Sequence, residues 1–349
     1  MVILLLTIFL LLILFVFTEE YLGKYKYIAY FTMGILMIMC AGLRPVGFDR
    51  DSQNYEYTFL HPDSNTSNFI VEPFFIFICK ILYIISPDFQ ILLLFFAFTC
   101  IVIKLTAIAR LTPLLFLSLT IYFSNFYMLH EITQIRAGVV SGLFLLSLKP
   151  LSEGKKMLPF FLILLGSMFH FSSFALLPVL FFDNNTIGRI YKIFLACIIP
   201  FCFILYALDL DLLTTINIPY MTAKIEAYKS LSEFGNIAKE SILNPFPLIK
   251  MTIFLYLLFF SKKIEEYVPS INIIIKIIAY SLIIYFAFSS VKIISTRVSE
   301  LYGIVEIVAY PCILFTIRPH FVGKIIVSII AIIEIYFNVF QWSFFDLKI

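Results

Sequence analysis

Residues 2–17 read VILLLTIFLLLILFVF, a run without one charged residue. A helix needs about 20 apolar residues to cross the hydrocarbon of a bilayer, so this run is close to one full span. It stops at a polar turn and resumes as a second apolar stretch over 25–43. It carries neither a basic leader nor an Ala-x-Ala-like cleavage site, and so reads as a retained first span. Long continuous runs of the same kind recur to the end of the chain. They decide the fold class: an all-α, polytopic integral membrane protein.

Composition points the same way. Of 349 residues, 62% are hydrophobic, 41 are Phe and 13% are charged, against about 25% charged in an average soluble domain. A water-soluble chain covers its outside with charge. That excludes a soluble enzyme and a disordered chain. A formal net charge of +3 is too small to suggest a polyanionic partner, so no nucleic acid is expected. Barrel strands alternate apolar and polar residues, and these runs do not. Cys40, Cys79, Cys100, Cys197, Cys202 and Cys312 all lie in apolar stretches with no Cys-x-x-Cys pair. They read as small buried hydrophobes, outside any disulfide framework or zinc site.

Single spans are expected near 2–18, 25–43, 89–109, 112–129, 133–149, 188–208, 246–261, 270–290, 297–317 and 323–342. Two segments fit the rule poorly. Residues 71–86 are short, open with Glu72-Pro73 and carry Lys80; residues 157–182 are interrupted near His170-Phe171-Ser172-Ser173. Basic residues cluster at Lys24/Lys26, Lys104/Arg110, Lys149/Lys155/Lys156, Arg189/Lys192, Lys262/Lys263 and Arg318/Lys324. If all six clusters face the cytoplasm, an even number of crossings must separate each pair. The simplest solution makes 71–86 an interfacial or re-entrant helix and 157–182 a pair of short helices or a re-entrant hairpin. Broken backbone at membrane depth is tolerated where protein or water covers it, so such segments tend to line cavities. The expectation is one polytopic domain over 1–349 with about 10–12 transmembrane helices. Its outer-face loops are 44–88 and 209–245, the latter either a surface lid or a plain solvated loop.

Charge near membrane depth is costly and marks function by default. The first concentration is Arg44 to Tyr55, with Arg44, Asp49, Asp51 and Tyr55. An arginine at a span end can fork onto a phosphate, and either aspartate can act as a base or bind sugar hydroxyls. The plainer reading is a hydrophilic loop with an Arg–Asp ion pair. The second is Glu72 at the start of the short helix, where the dipole favours an anion. The third is His130-Glu131-Ile132-Thr133-Gln134-Ile135-Arg136, in which His130 and Gln134 share a helix face and Arg136 points into the bundle. The fourth is His170. A lone histidine in an apolar run is often only a hydrogen-bonded core residue. The fifth runs from Lys292 to Tyr302 and includes Arg297 and Glu300. There is no His-Glu-x-x-His, Gly-x-Ser-x-Gly or Walker loop, so no metal and no cofactor is expected. Arginine, histidine and carboxylate beside lipid suit an anionic lipid-linked substrate. The arginines would hold a phosphate leaving group, and a carboxylate or imidazole would take an acceptor proton.

At these residues the sequence resembles the EpsG-like, Wzy-type polysaccharide polymerases of bacterial O-antigen and capsule assembly. The resemblance rests on Ala41-Gly42-Leu43-Arg44 followed by Val46-Gly47-Phe48-Asp49 and Tyr55. It continues with Glu72-Pro73-Phe74-Phe75, then Gln134-Ile135-Arg136-Ala137-Gly138 before a small-residue-rich span, then Phe169-His170-Phe171-Ser172-Ser173. Arg297 with Tyr302 is similar to the family's late arginine-containing span. Phe48 stands where the family usually has Thr, and Ala137 where Gln is common. The resemblance implies a GT-C-like glycosyltransferase of the bacterial inner membrane with its active site facing the periplasm. It would join undecaprenyl-diphosphate-linked oligosaccharide repeat units, with membrane lipid around it and a chain-length regulator as a further partner. Arg136 and Arg297 would hold the pyrophosphate with Arg44 in support. Asp49, His130 or His170 would be the base, and Tyr55, Glu72 and Gln134 would position sugars. Rival readings are an O-antigen ligase, a flippase or transporter for the same lipid-linked sugar, and a membrane O-acyltransferase.

Overall fold

The computed structural model of the protein describes residues 1–62, 72–208, 245–288 and 292–341. Loop 209–245 therefore falls almost wholly outside the described residues, as do 63–71 of loop 44–88. The described chain is helical. Among its residues five helical runs are long and apolar enough to cross a membrane, or six if the bent pair Ser295–Gly303 and Glu306–Phe315 is one span. The multi-pass, all-α class holds. Several apolar windows are interrupted. The 112–129 window becomes α6 (Leu115–Ile121) running into a π-helical stretch, Tyr122–Thr133, and the 297–317 window bends by 41°.

The first run, Val2–Gly42, would be about 60 Å long if straight, twice the hydrocarbon thickness of about 30 Å. It folds back instead. Helix α1 (Val2–Leu22) and helix α2 (Lys26–Gly42) meet at Gly23, whose φ of +47° is the left-handed region that a glycine adopts freely. The Phe9 ring stacks on Phe123, and the Tyr127 hydroxyl donates to the Met37 carbonyl at 2.8 Å, while Phe123 and Tyr127 stack on each other. In a straight helix Phe9 and Met37 would be about 42 Å apart. The expected spans 2–18 and 25–43 are thus two arms of a hairpin.

Helices α5 (Gln90–Leu111) and α7 (Ile135–Ser152) run parallel at the centre. Their close approach needs the small residues Gly138 and Gly142, spaced as membrane helices use them for backbone contact. A Cβ at Gly138 would meet Cys100 Sγ at 3.1 Å, and one at Gly142 would meet Ile103 at 3.2 Å. Helix α8 (Met157–Phe169) turns at His170 into a 3₁₀ helix, Phe171–Phe181, which packs back along it, with Ser173 Oγ donating to the Ile163 carbonyl at 2.7 Å. This is the short-helix pair expected for 157–182. Helix α4 (Pro73–Ile85), at 13 residues, is too short to span, in agreement with the interfacial reading of 71–86.

The basic clusters gather at one end. Lys26 bonds the Pro113 carbonyl beside Arg110, and Lys324 pairs with Glu20 at the foot of α1. Helix α9 (Arg189–Ala207) and α10 (Pro245–Glu265) meet there, with Lys192 on the Phe259 carbonyl and Lys263 on the Thr316 carbonyl. Lys104 is the exception. It was expected beside Arg110 in a cytoplasmic cluster, but it is fully buried and paired with Glu131, also buried. At one residue in from the helix end a basic side chain is a loop charge; at seven it is inside the bundle, and only a partner makes it tolerable there.

Removing one member of such a pair strands the other. We expect Lys104→Met to lower stability by about 3 kcal/mol, and Lys104→Met/Glu131→Leu to recover most of it. Unfolding in detergent, followed for both variants, measures the difference; equal losses would show that the pair is not coupled.

Candidate functional site

The end away from the basic clusters holds a polar cavity. It takes Asp51, Asn54 and Tyr55 from the start of α3 (Ser52–Leu60), Gln134, Arg136 and Ala137 from the start of α7, His170 from the α8 turn, and Arg297 from α12 (Lys292–Gly303). The space measures about 490 Å³ to its open mouth. The four chain segments are far apart in sequence. Three of them arrive at a helix start or a break, and Arg297 comes from the middle of α12.

Glu72 holds these segments together. It precedes Pro73, the first residue of α4, and is buried. One carboxylate oxygen takes the Arg136 guanidinium, and the other accepts the Phe171 N–H at 3.2 Å and lies 3.9 Å from His170 Nδ1. Arg136 also lies over the rings of Phe75, at 5.1 Å, and Tyr55, at 5.8 Å, a cation–π arrangement. Arg136 is therefore largely neutralised where it sits. Its Nε–H is buried with no acceptor among the described residues. Arg297 differs. It is exposed and has no carboxylate within ion-pairing distance among the described residues.

His170 Nδ1 accepts the Ser172 N–H at 3.1 Å. A backbone amide only donates, so Nδ1 carries no proton in this arrangement and Nε2–H is left as a donor. In this tautomer the ring is better suited to holding an oxyanion than to taking a proton.

The aspartates separate sharply. Asp49 is one of the three expected bases, with His130 and His170, but its carboxylate is engaged. Oδ2 accepts from Arg44 Nε at 3.0 Å, and Oδ1 accepts the N–H groups of Asp51, at 3.0 Å, and Ser52, at 2.9 Å. Both members of the Arg44–Asp49 pair are buried, and Arg44 spends a further donor on the Ala41 carbonyl. The turn that allows this passes through Gly47 at φ +81°. Arg44 and Asp49 thus tie the end of α2 to the start of α3, outside the cavity. Asp51, two residues on, lines it. Burial, then the neighbouring Asp49, push the Asp51 carboxyl above the usual range, against the pull of Arg297, Arg136 and Arg50. Burial likewise raises the Tyr55 phenol to about 12, which leaves it a hydrogen-bonding hydroxyl at neutral pH.

His130 also lies elsewhere. It is buried against the Phe126 ring, and its Nδ1 is 3.0 Å from Ser141 Oγ, whose own proton goes to the Gly138 carbonyl. The π-helical stretch ends at Thr133, and Gln134 stands at the break before α7 with φ −95° and ψ +61°, so His130 and Gln134 do not lie on one continuous helix. Tyr302 is outside as well. Its hydroxyl donates to the Ala175 carbonyl at 2.6 Å and ties α12 to the 3₁₀ limb. Of the residues expected from sequence, Tyr55, Gln134, Arg136, His170 and Arg297 line the cavity, with Glu72 bonded to two of its segments. Asn54 is an addition, and Asp51 is the one of the two aspartates that lines the cavity. Asp51 had the same local signal as Asp49, and only the fold separates them. No group of three His, Cys, Asp or Glu residues suited to a metal occurs among the described residues.

Residues 27–347 match the model of the EpsG family. No curated protein and no solved structure matches the chain.

The two aspartates make a direct contrast. We expect Asp49→Ala to lower stability by about 3 kcal/mol, because it leaves Arg44 buried and unpaired. Asp51→Asn should stay within about 1 kcal/mol of the parent. Detergent unfolding of both variants checks this, and the reverse order would contradict the assignment.

Proposed function

The chain belongs to the EpsG family, and from that premise we propose that it is a polysaccharide polymerase. In this reading it is a glycosyltransferase that joins undecaprenyl-diphosphate-linked repeat units at the periplasmic face of the inner membrane. The observation that carries the reading is the cavity, where one arginine with no carboxylate partner among the described residues, one histidine N–H donor and one carboxyl of raised pKa stand together. The cavity lies opposite the basic clusters. The positive-inside rule puts such clusters in the cytoplasm, which turns the cavity outward.

The chemistry follows from the groups. An acceptor sugar hydroxyl attacks the anomeric carbon of the growing chain. The new C–O bond forms as the bond from that carbon to the pyrophosphate oxygen breaks. The hydroxyl proton passes to Asp51, and undecaprenyl diphosphate leaves with the bonding electron pair. Arg297 meets the charge that develops on the leaving oxygen, with the His170 N–H and Arg136 beside it. Arg136 has a second duty, since its pair with Glu72 holds the α8 turn in place. Tyr55, Asn54 and Gln134 supply hydroxyl and amide groups to orient the sugars. In place of Asp49, His130 or His170, the base is Asp51.

Arg297→Ala should collapse the surface polysaccharide ladder to core carrying a single repeat unit, and Arg297→Lys should retain part of it. A full-length ladder at normal expression would overturn the leaving-group role, and core bearing no repeat unit would point to a ligase instead.

Asp51 works as a base only when ionised. Its raised pKa places the acid limb of the rate above the ordinary aspartate value of about 3.9, and activity falls as pH drops through it. Removing a cation that lowers this pKa must move the limb upward. We therefore expect Arg50→Gln to shift the acid limb to higher pH in reconstituted elongation assays, and Asp51→Asn to abolish elongation at every pH. An Asp51→Asn variant that elongates with an unchanged acid limb would assign the base elsewhere.

A further inference from the structure

A second cavity lies on another face of α12. Arg297 lines the first, while Thr296, Ser299, Glu300 and Gly303 of the same helix line the second. It encloses about 850 Å³ to its mouth. Two other helices place it at the same end of the bundle. Lys250 sits in the second turn of α10, whose opposite end carries Lys262 and Lys263. Glu334 and Asn338 come at and just beyond the end of α14 (His320–Tyr336), whose start is the basic end.

Its polar groups differ in kind from the first cavity's. Lys250 donates to Glu306 at 2.6 Å and to Ser281 at 2.7 Å, so its charge is already balanced. Gly303 leaves the room for this pair, since a Cβ there would come within 3.0 Å of Glu306 and 3.1 Å of Lys250. Glu300 and Glu334 add carboxyls to the lining. Glu334, only 2% exposed, accepts from Ser124 at 2.6 Å, and Asn338 donates to the Ser124 carbonyl at 2.9 Å. With Lys250 already paired, the lining offers a pyrophosphate no open cation among the described residues. The remaining lining includes the rings of Phe126, Phe246, Tyr285 and Tyr310. Carboxyl and amide groups set among aromatic faces suit a polyol, whose hydroxyls bond the polar groups while its C–H faces pack on the rings.

We propose that this second cavity binds the uncharged sugar residues of the acceptor oligosaccharide, leaving the arginine-lined cavity to the pyrophosphate. The acceptor role rests on the polymerase reading; the binding of sugar does not.

The test uses the purified full chain in nanodiscs. The probe is the host's own repeat-unit oligosaccharide, freed from its lipid by mild acid and tritium-labelled. Wild type should bind it saturably. Glu334→Leu and Asn338→Leu should each weaken binding by about tenfold, Glu334→Gln should recover most of it, and Arg297→Ala should stay within about twofold. Because a leucine variant can misfold, a diazirine-bearing probe on the wild-type chain gives an independent readout. It should label the peptide containing Glu334 and Asn338 rather than the one containing Asp51 and Tyr55. Absence of saturable binding, labelling at Asp51–Tyr55, or binding that Arg297→Ala removes and both leucine variants keep would overturn the proposal. Elongation is read separately. A chain that binds the probe in this cavity but never elongates would sink the polymerase reading and support the sugar site.

Discussion

The contact between Glu72 and Arg136 is the constraint on which the cavity depends. Neither group is tolerable alone at this depth, because an unpaired buried ion costs several kcal/mol. Once paired, they fix the start of α4 against the start of α7. The second Glu72 oxygen then accepts the Phe171 amide and sets the turn between α8 and its 3₁₀ continuation. That turn presents His170. One carboxylate thus brings together segments that are about 60 and 100 residues apart in the chain.

The same device recurs through the bundle. Arg44 with Asp49 joins the end of α2 to α3, Lys104 with Glu131 joins α5 to the π-helical stretch, and Lys250 with Glu306 joins α10 to α13 (Glu306–Ala309). Apolar surface provides no selectivity between helices surrounded by lipid tails, so close backbone contact and polar pairs decide who neighbours whom. Gly138 and Gly142 supply the former at the centre. Against this background Arg297 stands apart, because its charge is left for something outside the described residues. A cation kept free beside a carboxyl of raised pKa is an arrangement for handling an anion and a proton together.

Much of this was legible in the linear chain. The runs at 2–17 and 25–43 identified the membrane class, and the short segments at 71–86 and 157–182 marked the helices that do not span. Lys24/Lys26, Lys262/Lys263 and Arg318/Lys324 marked one end of the bundle. Tyr55, Gln134, Arg136, His170 and Arg297 were singled out as polar residues where apolar runs break, and the cavity contains all five. Lys104 misled because burial depends on where a helix ends, which hydropathy locates only to within a turn. His130 and Gln134 are separated because the helix breaks at Gln134, and hydropathy does not locate such a break. The bend in the 297–317 window was hidden for a similar reason: a bent pair and a straight span have the same average hydropathy.

What the sequence determined by itself is the solvent. Hydropathy is a sum of local transfer energies, so it needs no knowledge of neighbours to place a helix in lipid or to mark the charged residues as exceptional. Choosing among those exceptions was left to the tertiary structure. Asp49 and Asp51 share a loop and a chemical type, yet one is committed to Arg44 and two backbone amides and the other lines the cavity. The first carboxylate is already bonded and the second is partly desolvated, and both conditions depend on which groups from distant segments lie within a few ångströms.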